Sequence, residues 1–204
     1  MELQHINLKF YIENAESLNL ESFHGVFNNW IQRSLTDDLL VDVAEYLHVH
    51  NGPGIMLIGH SANYSLDLTT GRLGLLYNRK EQVEGTNKQK LAQAAHAVLR
   101  AMRILEKENR VRFIGNEVQL IINDRLITPN TAETFSALKD DLESFFGTLF
   151  NGAAVTLVHQ SAEPRARFIV DASARLSTGS QSASTFDIQN LLDNISAELE
   201  PVHA

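Results

Sequence analysis

Residues 39–80, LLVDVAEYLHVHNGPGIMLIGHSANYSLDLTTGRLGLLYNRK, decide the fold. Four extended segments follow one another with no helical period between them. LLVDVAEYLHVH (39–50) runs into a turn, NGPG (51–54). IMLI (55–58) is a wholly apolar strand that stops at Gly59-His60. NYSLDL and RLGLLYN then face each other across TTGR (69–72), where glycine supplies the positive φ of a hairpin turn. Strands joined by tight turns pair antiparallel, because parallel neighbours need long crossovers.

Upstream, His5 to Glu13 alternates. Ile6, Leu8, Phe10 and Ile12 share one face, and Asn7, Lys9 and Tyr11 the other, the pattern of a half-buried strand. Asn19 can cap the next element, in which Phe23, Phe27, Trp30 and Ile31 recur at helical spacing. Downstream, Gly85-Thr86 opens a long helix to about Glu108, with Leu91, Ala95, Val98, Met102 and Leu105 as its core stripe. VRFI and VQLIIN read as a second hairpin about Gly115-Asn116. Asn130 followed by Glu133 has the spacing of a capping box, and Phe135, Leu138, Leu142, Phe145 and Leu149 line the helix it starts. AVTLVHQ and ARFIVDA make a last pair of strands.

The segment SARLSTGSQSAST (173–185) is small and polar and reads as a flexible linker. Ile188, Leu191, Leu192, Ile195 and Leu199 then form one more amphipathic helix, whose apolar face needs a surface to cover it. The expected fold is therefore α+β. A largely antiparallel sheet of about seven to nine strands is covered on one face by two or three helices, with a tethered C-terminal helix.

Residues 51–62, NGPGIMLIGHSA, and 151–162, NGAAVTLVHQSA, share Asn, Gly, Leu, Ser and Ala at matching positions. The match reads either as chance or as two copies of a strand–helix–hairpin unit. Residues 1–172 read as a single α+β domain, and on the second reading it holds pseudo-repeats 1–80 and 111–172, joined by the helix at 86–108. The linker at 173–185 and the helix at 186–204 complete the chain.

Lys and Arg number 17 against 25 Asp and Glu, a net charge of −8 that repels phosphate backbones and speaks against nucleic acid as a partner. Cysteine is absent, which excludes thiolate nucleophiles and cysteine-held metal clusters. The opening MELQHINLKF lacks the basic start and apolar block of a secretory signal, and no stretch approaches the ~20 apolar residues of a membrane span. A soluble, cytoplasmic protein is expected.

Three kinds of candidate site emerge. His48 and His50 lie two apart, and with His60 they could hold a divalent transition metal if all three meet at one rim. The glycine turn at Asn51, Gly52 and Gly54, with Tyr64 nearby in sequence, marks a candidate ligand groove, although Pro53 removes one donor and no helix follows. Arg165 and Arg167 could grip a carboxylate or phosphate, or could simply be the wet face of an edge strand. No catalytic signature stands out: there is no G-x-S-x-G elbow, and Ser61 beside His60 makes no triad by adjacency. The expected function is a non-enzymatic binding or assembly protein without a cofactor. It would act through protein contacts, as a homo-oligomer or on another protein, with the C-terminal helix as the docking element. The alternative is a metal-binding enzyme or sensor built on the three histidines.

Overall fold

A computed structural model describes residues 1–109, 111–160, 163, 165–175 and 186–199. The expected linker falls largely on 176–185, and Ser161 and Ala162 of the repeated motif are also outside the described residues. The chain is α+β. Among the described residues eight strands form one open antiparallel sheet: β1 (Ile6–Ile12), β2 (Leu40–Tyr46), β3 (Gly54–Gly59), β4 (Ala62–Asp67), β5 (Gly74–Arg79), β6 (Phe113–Ile122), β7 (Ala154–His159) and β8 (Phe168–Arg175). Their spatial order is β2-β3-β4-β5-β1-β6-β8-β7. Among the described residues the four α-helices are α1 (Phe23–Arg33), α2 (Asn87–Asn109), α3 (Ala132–Leu149) and α4 (Ile188–Ile195), the last continued by a 3-10 turn at Ser196–Leu199.

Both halves of the chain run strand, helix, meander. The meander β2–β5 returns beside β1, and β7–β8 returns beside β6. The two leading strands therefore sit side by side at the centre. Their apolar faces, Ile6, Leu8 and Phe10 on β1 and Val118, Leu120 and Ile122 on β6, join the helices in one core. Phe23, Phe27 and Trp30 of α1 pack into it edge-to-face, with ring centroids 6.5 and 5.5 Å apart. Asn19 accepts from Glu21 N and so caps the short 3-10 turn Leu20–Ser22 rather than α1 itself, whose N-cap position is Ser22. Gly71 takes φ 77 in the TTGR turn, as its sequence predicts.

Several local expectations change. β1 is buried on both faces, Asn7 and Lys9 included, rather than half-buried. β2 stops at Tyr46, so His48 and His50 lie in the turn and not on a strand. Gly115-Asn116 is no hairpin. β6 runs straight through it, and the extra residues form a bulge, because β1 pairs Phe10 with Val118 but Ile12 with Phe113. The cap of α3 is Thr131, which accepts from Thr134 N, because Asn130 is committed elsewhere. β8 continues to Arg175, so residues 173–175 belong to the sheet and not to a linker.

α4 does find a surface, and it is the chain's own. Ile188, Leu191, Leu192 and Ile195 are all buried, with α4 packed on α2 and α3. Its apolar face is thus already covered and is not free for a partner. Among the described residues no helix is long and apolar enough to cross a membrane.

Candidate binding site

The three histidines do not meet. In an antiparallel hairpin the end of one strand lies beside the start of the next. Tyr46 pairs with Gly54 and Leu40 with Gly59, so His48 and His50 sit at one end of β2–β3 and His60 at the other. Six residues of β3 separate the two ends, roughly 20 Å at ~3.3 Å per residue. The His60 N–H donates to Leu39 O at 2.8 Å, and its ring lies 3.5 Å from Glu81, both side chains well exposed. Among the described residues no group of three or more His, Asp or Glu is placed to hold a metal ion.

The glycine turn is used by the fold. Asn51 takes φ 50, Gly52 N donates to Val49 O, and Gly52 O accepts from Leu68 N. A Cβ on Gly54, at φ 62, would lie 2.0 Å from Leu66 O. Arg165 and Arg167 precede β8 rather than lying on it. Arg165 N donates to Glu163 Oε1, and its carbonyl accepts from Arg125. Tyr64, on β4, stands four strands from β8 in the sheet, roughly 19 Å away at ~4.8 Å per strand. The structure therefore does not gather the expected ligand residues into one site.

Tyr64 instead faces the helix side, where a groove runs along α2. Its Oη donates to Asp38 Oδ2 at 2.6 Å, and its ring meets Tyr77 of β5 edge-to-face at 5.2 Å. These groups, with Arg79, Gln93, His96 and Arg100, line a cavity of about 200 Å³. His96 and Arg100 also wall an adjoining cavity of about 390 Å³ that reaches α4 through Arg103 and Gln189. Helical spacing explains the shared wall: residues 96, 100 and 103 fall on one side of α2.

The charges here are mostly matched. Arg100 pairs with Asp37, and Arg103 donates to Gln189 Oε1 at 2.5 Å. Burial and the neighbouring Arg100 hold the His96 pKa below 6.5, against the opposing pull of Asp37. Burial also raises both tyrosines, Tyr64 with help from its bond to Asp38, so both hydroxyls stay protonated at neutral pH. The groove thus offers guanidiniums, carboxylates and neutral hydroxyls, a set suited to polar recognition.

A second half-buried imidazole lies near the far edge of the sheet. His159, on β7, stacks on Phe135 at 5.2 Å and tilts against Phe168 at 4.9 Å. Asn130 Nδ2 donates to two carbonyls, Gln160 O and Glu163 O, both at 3.0 Å. Its Oδ1 is thereby turned to His159 Nε2, 2.7 Å away, so Nε2 must carry the proton. Burial lowers the His159 pKa from 6.5. A base whose pKa is depressed on folding binds its proton more readily when unfolded, so stability is lost as pH falls below 6.5. His96 contributes in the same direction. The urea midpoint is expected to fall as pH is lowered through about 6, and NMR titration should place His159 below 6.5 as the Nε2–H tautomer. A midpoint at or above 6.5 contradicts this packing.

The chain matches no protein family, and no curated protein or solved structure matches it. The site must be read from its own residues. The signal for the α2 ridge was present in the sequence as His96, Arg100 and Arg103 at i, i+4 and i+7. Tyr77 and Arg79 could join it only once β5 was known to lie under α2.

Proposed function

We propose that this protein is a non-enzymatic binding or assembly protein that acts through protein–protein contacts, and that it pairs with a second copy along β7. One observation carries the reading: the two edges of the sheet are built differently. β2 is guarded by Asp42, Glu45 and a register shift between Leu40 and Asp42, and the Asp42 carboxylate caps the Val43 N–H at 2.8 Å. β7, AVTLVH, carries no Asp, Glu, Lys, Arg or Pro, and Ala154, Thr156 and Val158 are exposed. Among the described residues nothing pairs with its outer edge.

A twofold axis through Thr156, perpendicular to the sheet, makes this edge self-complementary. Val155 of one copy then faces Leu157 of the other on the helix side. On the other side Ala154 faces Val158, and Thr156 meets its own copy. No like charges oppose one another, and twofold pairing is the commonest route to an oligomer. Light scattering on the full chain should find a dimer, and Val158→Lys should weaken it at least tenfold. Val41→Lys, on the exposed part of β2, should leave it intact. A monomer at about 100 µM, or a dimer broken by the Val41 variant and not the Val158 variant, would refute the β7 interface.

A further inference from the structure

We propose that the cavity between β4, β5 and α2 binds a small zwitterion of the α-amino-acid class, its carboxylate on Arg79 and Tyr77 and its ammonium toward Asp37 and Asp38.

The floor of this cavity holds two buried donors that find no hydrogen-bond partner of normal geometry, although the Arg79 guanidinium is near enough to the Tyr77 hydroxyl to act on it. Tyr77 is fully buried, and its Oη makes no hydrogen bond of normal geometry. Arg79 Nε is buried and equally unmatched, and the guanidinium lies 5.5 Å from the Tyr77 ring centre. Among the described residues Arg79 makes no ion pair, although Arg100 and Arg103 on the facing helix are both engaged. Buried polar groups are nearly always satisfied, so adjacent orphans lining one cavity call for a partner. Both are donors. Their partner must therefore be an acceptor, and beside a guanidinium a carboxylate fits best.

The rest of the lining narrows the class. Asp37 and Asp38 stand at the same cavity. Asp38 gives one oxygen to Tyr64 and Asp37 one to Arg100, but a carboxylate has room for further donors. Two carboxylates disfavour a dianion such as phosphate, and they favour a ligand with a positive end. Size points the same way: about 200 Å³ is below the ~300–1,000 Å³ of pockets for drug-sized molecules. His96, neutral at pH 7, and Gln93 add hydrogen-bonding capacity without adding charge.

The test titrates the full chain with each of the twenty amino acids, followed by NMR and calorimetry, with acetate, succinate and inorganic phosphate alongside. Saturable binding of at least one amino acid is expected. Tyr77→Phe, which removes a single oxygen, and Arg79→Gln should each weaken it at least tenfold. Asp38→Asn should weaken the amino acid more than acetate. Failure of every amino acid to bind overturns the proposal, as does unchanged binding by Tyr77→Phe. Acetate or phosphate binding as tightly as the best amino acid overturns the zwitterion assignment. None of these outcomes bears on the β7 interface, which stands or falls on the oligomeric state.

Discussion

Asp67→Ala is expected to destabilise the protein by about 3–5 kcal/mol, because it strands a buried ammonium. Lys9, at the middle of central strand β1, is fully buried, and its Nζ lies 2.8 Å from Asp67 Oδ1 with Asp67 only 1% exposed. The same nitrogen donates to Thr70 Oγ1 at 2.9 Å, and Asp67 Oδ1 also accepts from Thr69 N and Thr69 Oγ1. The knot ties β1 to the end of β4 and to the turn that leads into β5. Gly74 makes room for it, since a Cβ there would lie 2.9 Å from Lys9 Cε. Burial pulls the Lys9 pKa down against the raising pull of Asp67, so removing Asp67 leaves the desolvation cost unopposed. The double variant Lys9→Met/Asp67→Leu removes the burden together with its compensation. It should return to within about 1 kcal/mol of the parent or exceed it. Urea unfolding measures both. A single variant that costs under about 1 kcal/mol would mean that water reaches the pair.

That pair also shows where reading from the chain alone stops. Alternation in INLKFYI placed Lys9 with Asn7 and Tyr11 on one face, and the structure keeps them there. Charge then argued that the face was wet, whereas the partner that buries it is 58 residues away. The order of strands and helices was legible, because period 2 and period 3.6 are local properties. What failed were features with one local and one distant explanation. Gly115-Asn116 has the composition of a turn, but its glycine serves a close approach by Phe186. Asn130 has the spacing of a cap, but its amide is held by Gln160, Glu163 and His159. The histidine cluster failed for a reason that was available beforehand: consecutive antiparallel strands end at opposite edges, so His50 and His60 could not share a rim. The α2 groove was half legible. Its basic ridge follows helical spacing, whereas Tyr77 and Arg79 depend on strand register against Tyr64 and Ala62.

The approach at Gly115 leads to the second large effect. An ideal Cβ on Gly115 would lie 1.7 Å from Phe186 O and 2.9 Å from its carbonyl carbon. Backbone meets backbone here, so no side-chain rotation relieves the clash. Gly115→Ala should therefore release Phe186 and, with it, α4. The helix is held by burial of Ile188, Leu191, Leu192 and Ile195, each contributing up to about 1.5–3 kcal/mol. Asn194 Nδ2 donates to Leu149 O, and Lys88 pairs with Glu198 at 2.9 Å. The cost is expected to be several kcal/mol and local, because Gly115 lies in the bulge of β6, outside its paired residues. Hydrogen exchange should rise through 186–199 and on the facing side of α2, dye binding should report the uncovered apolar surface, and the β1–β6 pairing should stay protected. Gly147→Ala supplies the control. It lies within α3, a Cβ there meets nothing within 4 Å, and alanine should stabilise the helix by about 0.5–1 kcal/mol. If the two alanine variants behave alike, the C-terminal segment is not seated on β6. The buried face of α4 would then be open to another chain after all.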